Sequence, residues 1–140
     1  MQDRRKLIMN NAFVDEFKEL LFGVTEQIIG IFDLLWGGMP ELATTAYRNL
    51  GKALTNHISN AQRLPEPSSD GLKKIKHNYI DYLRAQLRSC QLCQNQEDNP
   101  TDINLKLWED SFIEMRELQE EFRQLLLNDE AFQAYLKNNS

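Results

Sequence analysis

Apolar residues recur every three or four positions through four long stretches of this chain, and this period restricts its fold more than any other feature. Such a spacing places side chains on one face of an α-helix, whereas a half-buried strand needs strict alternation. The first stretch carries the series at positions 13, 17, 20, 24, 28, 31 and 35. The sequence contains no strand-like alternation of useful length. The pattern therefore predicts an all-α protein.

Three clusters rich in glycine, proline and short polar residues separate the four stretches. They read GGMP (37–40), RLPEPSSDG (63–71) and QNQEDNP (94–100). Glycine and proline are disfavoured inside helices, so these clusters mark the connections. The spacing predicts helices over roughly 11–36, 40–62, 70–94 and 102–127, with a short helix over roughly 130–136.

Residues at the predicted helix starts agree with these bounds. Pro40 suits a first helical turn, Ser69 or Asp70 can cap the third helix, and Thr101 or Asp102 can cap the fourth. Short connections favour antiparallel neighbours. We therefore predict a single domain over 1–140, an antiparallel up-down four-helix bundle with a short extra C-terminal helix. The alternative is an open helical hairpin pair that dimerises into a bundle.

Composition and charge narrow the class of partner. Hydrophobic residues make up 41% of the chain and charged residues 26%, which is ordinary for a globular protein. The net charge of −5 repels phosphates, so we expect no nucleic-acid partner. The first residues, MQDRRKLIMNN, do not resemble a secretory signal, and this predicts a cytoplasmic, acidic protein.

The most apolar stretch is LLFGVTEQIIGIFDLLWGG, residues 20–38. A membrane-spanning helix needs about 20 predominantly apolar residues. Here Glu26 and Asp33 would lie inside the bilayer, at a cost of several kcal/mol. We therefore expect no membrane span.

This stretch nevertheless has more apolar surface than one core-facing stripe requires. Phe22, Ile29 and Trp36 form a second series at heptad spacing, and Phe32 lies near them. The series could be covered by three neighbouring helices, by the C-terminal segment AFQAYL, or by another chain. We predict that Phe22, Ile29, Phe32 and Trp36 form an interface for a protein partner or for self-association. Peripheral contact with a lipid or storage-granule surface is the alternative.

Cys90 and Cys93 have the C-x-x-C spacing of thiol redox sites and of half a zinc site. They fall near the C-terminal end of a predicted helix, where the helix dipole disfavours a thiolate. They also continue the apolar series of Leu83 and Leu87, so buried small hydrophobes are the favoured interpretation. Redox chemistry or metal binding by these two cysteines is a second alternative function.

Other catalytic and ligand-binding motifs are missing from the sequence. It has no phosphate-binding glycine loop and no nucleophile elbow, and its two histidines, His57 and His77, are not at ligand spacing. We expect no enzyme activity, no cofactor and no metal. The sequence predicts a non-enzymatic protein-binding bundle, either a homodimer or a small adaptor or chaperone-like subunit, whose interface is the apolar first helix.

Overall fold

The computed structural model describes residues 4–138, except for the side chains of Phe32, Leu35, Trp36, Pro40, Ala43 and Thr44. Within this range the chain forms five α-helices and no strands. They are α1 (Arg4–Trp36), α2 (Pro40–Gln62), α3 (Asp70–Asp98), α4 (Asp102–Asn128) and α5 (Glu130–Asn138). The prediction of an all-α protein is confirmed.

The main difference from the predicted bounds is that α1 already includes Arg4, whereas the predicted helix starts near residue 11. Asn10, which is only 6% exposed, continues the helix instead of interrupting it. Its Oδ1 accepts hydrogen bonds from the backbone N–H groups of Ser68 and Ser69, at 2.8 and 3.2 Å. The asparagine therefore fastens the connection between α2 and α3 to α1.

The helix starts use the capping residues expected from the sequence. Ser69 Oγ accepts a hydrogen bond from the Leu72 N–H at the start of α3, and Thr101 Oγ1 accepts one from the Asn104 N–H at the start of α4, each at 3.0 Å. These bonds satisfy first-turn amides that have no partner within their own helix.

Consecutive helices pack on each other from α1 to α4, and the contact between α3 and α4 is the most extensive. Contacts between α1 and α4 are few. The short α5 touches α1, α3 and α4. It therefore fills one end of the gap that α1 and α4 leave between them.

An aromatic cluster forms the core next to α5. Phe17 of α1 is fully buried, and its ring centroid lies 5.2 Å from Tyr79, 6.0 Å from Phe122 and 6.1 Å from Phe132. Phe13 stacks on Phe17 at 5.4 Å. One aromatic group thus joins α1, α3, α4 and α5.

The apolar stripe of α4 is core only in part. Its buried residues are Ser111, Met115 and Phe122, and no described α4 residue before Ser111 is buried. Leu105 and Phe112, which continue the same stripe, are 36% and 42% exposed. The physical reason is that α4 packs mainly against α3 and has little contact with α1.

Candidate functional site

An open groove of about 880 Å³ runs between α1 and α4, next to the position of α5. Leu21 and Thr25 line its α1 side. The α4 side supplies apolar and charged groups, which are Phe112, Ile113, Arg116, Glu117, Gln119, Glu120, Phe122, Arg123 and Leu126.

Two of the four predicted interface residues, Phe22 and Ile29, lie at the α1 edge of this groove. Phe22 is 64% exposed and Ile29 is 53% exposed. Phe22 follows Leu21, and Ile29 lies one helical turn beyond Thr25, so both lie beside the groove-lining residues. Neither side chain is part of the core. Phe32 and Trp36 belong to α1, but their side chains lie outside the described ones.

The C-terminal segment was one candidate cover for this apolar series, and it lies elsewhere. Phe132 of α5 packs on Phe17, and Lys18 Nζ lies 5.2 Å from the centre of the Tyr135 ring. These contacts place α5 against α1 at residues 17 and 18. In the described structure Phe22 and Ile29 therefore remain exposed to solvent.

Charges on the α4 wall of the groove interact with groups of the same helix. Arg123 donates hydrogen bonds from Nε and Nη2 to the Glu120 carboxylate, both at 3.1 Å, and these bonds lower the pKa of Glu120 to about 2. The Arg116 guanidinium lies 5.9 Å from the centre of the Phe112 ring. The wall thus combines apolar surface with an ion pair that α4 completes by itself.

The two cysteines belong to α3, and Cys90 lies where this helix packs on α2, away from the groove. Both thiols are free; Cys90 is buried and Cys93 is half-buried. Burial raises the pKa of Cys90 to about 11, and burial followed by the charge of Glu97 raises the pKa of Cys93. Both thiols therefore stay protonated at neutral pH, which is the unreactive form.

The histidines and the other metal-binding residue types are not arranged as a site. Within residues 4–138, no group of three or more His, Cys, Asp or Glu side chains could hold a metal ion. His57 Nε2 lies 2.9 Å from Gln27 Oε1, which links α2 to α1, and burial lowers the pKa of His57. The side chain of His57 therefore helps to hold α2 against α1.

Sequence reasoning missed the α4 wall of the groove. Phe112, Ile113 and Leu126 were not among the predicted interface residues. The available signal was that α4, like α1, has apolar residues outside its main stripe, such as Ile103 at 74% exposure and Ile113 at 57%.

No family model, curated protein or solved structure matches this chain significantly. None of the described helices has the length and apolar character needed to cross a membrane.

Proposed function

We propose that this chain is a non-enzymatic protein-binding domain, a small adaptor or chaperone-like subunit, that recognises its partner with the open side of α1 and the adjoining groove. The observation that carries the proposal is the exposure of Phe22 and Ile29, 64% and 53%, beside an apolar groove. Burying a large apolar side chain contributes about 1.5–3 kcal/mol. A partner that covered both residues would gain several kcal/mol.

The shape of the groove supports a macromolecular partner. Its two walls are long helices, α1 and α4, rather than a ring of elements around a closed cavity. A groove between two helices is a common binding site for a third, amphipathic helix.

The proposal takes α1 to α4 as an up-down four-helix bundle that is left open between its first and last helices. Two links support this topology. Arg48 near the start of α2 donates to Glu97 near the end of α3 at 2.8 Å, and Asn10 near the start of α1 binds Ser68 just before α3. In the first case the start of α2 lies near the end of α3, and in the second the start of α1 lies near the connection that follows the end of α2.

The test compares the double variant Phe22→Ser/Ile29→Ser with Ile103→Ser/Leu107→Ser, a matched pair of exposed residues on α4. Each tagged chain is purified from its native cell, and its mass is measured by light scattering. We expect the wild type and the α4 pair to carry a second polypeptide, and the α1 pair to be a monomer with an unchanged melting temperature. The proposal would be contradicted by a monomeric wild type together with a Phe22→Ser/Ile29→Ser variant that unfolds.

A further inference from the structure

We infer that the occupant of the groove is an amphipathic helix of another protein that carries a row of lysine or arginine residues beside its apolar face. This inference rests on the proposed function and adds the chemistry of the partner. Three features of α1 and its surroundings support it: a heptad pattern, the position of α5, and the distribution of acidic residues.

The exposed side of α1 has the pattern of a coiled-coil seam. Phe22, Thr25 and Ile29 are spaced by three and four residues, and the sequence continues the pattern with Phe32 and Trp36. We call the exposed residues Phe22, Thr25 and Ile29 the α1 seam. The Thr25 hydroxyl donates to the Leu21 carbonyl at 2.8 Å, so its hydrogen bond is satisfied within α1. Heptad spacing of this kind is the pattern that a second helix packs against.

The chain's own α5 shows that the gap between α1 and α4 accepts a helix. This helix of nine residues contacts α1, α3 and α4, and its Phe132 is only 5% exposed. The groove begins at Leu21, one turn beyond the α1 residues that α5 covers. A helix from another protein would continue along the same gap.

Acidic residues follow the seam along one side of α1. Glu19, Glu26 and Asp33 repeat every seven residues, and all three are exposed. When Phe22 and Ile29 occupy the first heptad position, these three occupy the fifth, which faces the charged residues of a partner helix. Three carboxylates in one row favour lysine or arginine on the partner.

The α4 wall does not reverse this sign. Glu120 is paired with Arg123, and Lys106 is paired with Asp110 at 3.4 Å. The other charged residues of α4 that line the groove are Arg116 and Glu117, one base and one acid. The α4 wall is therefore neutral, and the carboxylates of α1 decide the charge that the partner must carry.

The same charges disfavour an antiparallel second copy and an anionic lipid surface. A second copy that packed its seam antiparallel on this one would place the Glu19, Glu26 and Asp33 row opposite an identical row. An anionic lipid surface would be repelled by the row and by the net charge of −5.

The probe is a fluorescein-labelled peptide of about 21 residues, three heptads, with leucine at the apolar positions and lysine at the flanking ones. A leucine/glutamate peptide of equal length is its counterpart. Anisotropy titrations with the full chain in about 0.15 M salt should show one Leu/Lys helix per chain and much weaker binding of Leu/Glu. Glu19→Lys/Glu26→Lys/Asp33→Lys should lose about tenfold in Leu/Lys affinity and gain affinity for Leu/Glu.

The matched control is Asp110→Lys/Glu114→Lys/Glu121→Lys, which changes the net charge equally at exposed positions outside the groove. Its affinity for the Leu/Lys helix should stay within about threefold of the wild-type affinity, because salt screens exposed charges that lie outside the groove. An equal loss in both triple variants would show general charge attraction and overturn the inference.

Other results separate this inference from the proposed function. Equal binding of Leu/Lys and Leu/Glu helices, lost in Phe22→Ser/Ile29→Ser, would keep protein binding and overturn the basic partner. A wild-type dimer that dissociates in the same double variant and excludes the peptide would identify a second copy. Co-sedimentation with phosphatidylcholine/phosphatidylglycerol vesicles, lost in that variant, would identify lipid. Either result would overturn the inference.

Discussion

Cys90 lies between α2 and α3, beside Ser89, whose Oγ is 3.5 Å from the Tyr47 hydroxyl. Because burial raises its pKa from 9.0 to about 11, we expect iodoacetamide to label Cys90 slowly in the native protein at pH 7.5 and rapidly in urea. The native rate should rise as the pH approaches 11. Peptide mass spectrometry measures labelling at Cys90 and Cys93 separately. Native labelling at the urea rate would show an accessible thiolate and revive the redox alternative.

The same pKa sets a pH dependence of stability. A folded-state pKa above the unfolded one stabilises the protein at pH below the unfolded value, and this stabilisation is lost as the pH rises through the folded value. The contribution of Cys90 is therefore complete below about 9 and falls toward about 11. The variant Cys90→Ala should lose less free energy of unfolding than the wild type over this interval. Burial also raises the pKa values of Tyr47, Tyr79 and Tyr82 in both proteins, whereas the Cys90 thiolate raises those of Tyr47 and Tyr82 further only in the wild type, which enlarges the difference in the same direction.

Asn10 gives a prediction for another single side chain. Replacing it with alanine leaves the N–H groups of Ser68 and Ser69 without their acceptor, so Asn10→Ala should reduce the free energy of unfolding by about 1–3 kcal/mol. Urea denaturation measures the change. The neighbouring variant Asn11→Ala, at a partly buried position, is the control and should cost less. Equal losses would mean that the asparagine bonds contribute little.

At the scale of the helix, α1 contains two glycines with no packing requirement. An alanine Cβ at Gly23 or Gly30 would meet no neighbouring atom within 4 Å. Alanine is favoured over glycine in a helix by about 1 kcal/mol, so Gly23→Ala and Gly30→Ala should each raise the free energy of unfolding by up to about that amount. Circular dichroism during urea unfolding measures this. A loss of stability at either position would show that the glycine is needed for a contact.

Gly71 in α3 provides the contrasting case for the same substitution. A Cβ there would collide with the Asp129 side chain, whose carboxylate accepts a hydrogen bond from the Phe132 N–H at 2.8 Å at the start of α5. Gly71→Ala should therefore destabilise the protein by about 1 kcal/mol or more as this cap is displaced.

The helices themselves could be predicted because their signals are local. A repeat of three and four residues, together with Ser69 and Thr101 as caps, identifies helices without knowledge of their neighbours. The start of α1 could not be predicted in this way, since Asn10 continues the helix with the support of Ser68, which is 58 residues away. Asparagine has a low helix propensity, and at this position a contact with a residue distant in the sequence stabilises it inside the helix.

The site could be predicted only on the α1 side. The heptad spacing of Phe22 and Ile29 showed that one stripe does not bury them, but periodicity reports which face is apolar and not how closely another helix approaches. The separation of α1 and α4 depends on where α5 inserts, and α5 is placed by the aromatic contacts of Phe132. These contacts join residues that are far apart in the sequence, so the local pattern does not report them.

For the whole molecule, burial differs between its two ends. Near α5 the aromatic cluster joins four helices, whereas residues 102–110 of α4 contribute no buried side chain. A region with few buried contacts opens locally at a lower free energy than the core. The groove extends from Phe122 in this cluster to the exposed side chains of Phe112 and Ile113, so the proposed binding surface reaches from the core toward the less buried part of α4.

Hydrogen exchange followed by mass spectrometry tests this difference along a single helix. Amides in 102–110 of α4 should exchange much faster than those in 115–128, because only the second segment contains Met115 and Phe122 in the core. The control is α3, whose buried residues extend from Leu72 to Cys90 and should give more even protection. On addition of the Leu/Lys helix, 20–36 of α1 and the groove-lining segment 112–126 of α4 should gain protection. Equal protection of 102–110 and 115–128 in the free chain would mean that the first part of α4 is covered as well as the second, and the partial burial of this helix would then be wrong.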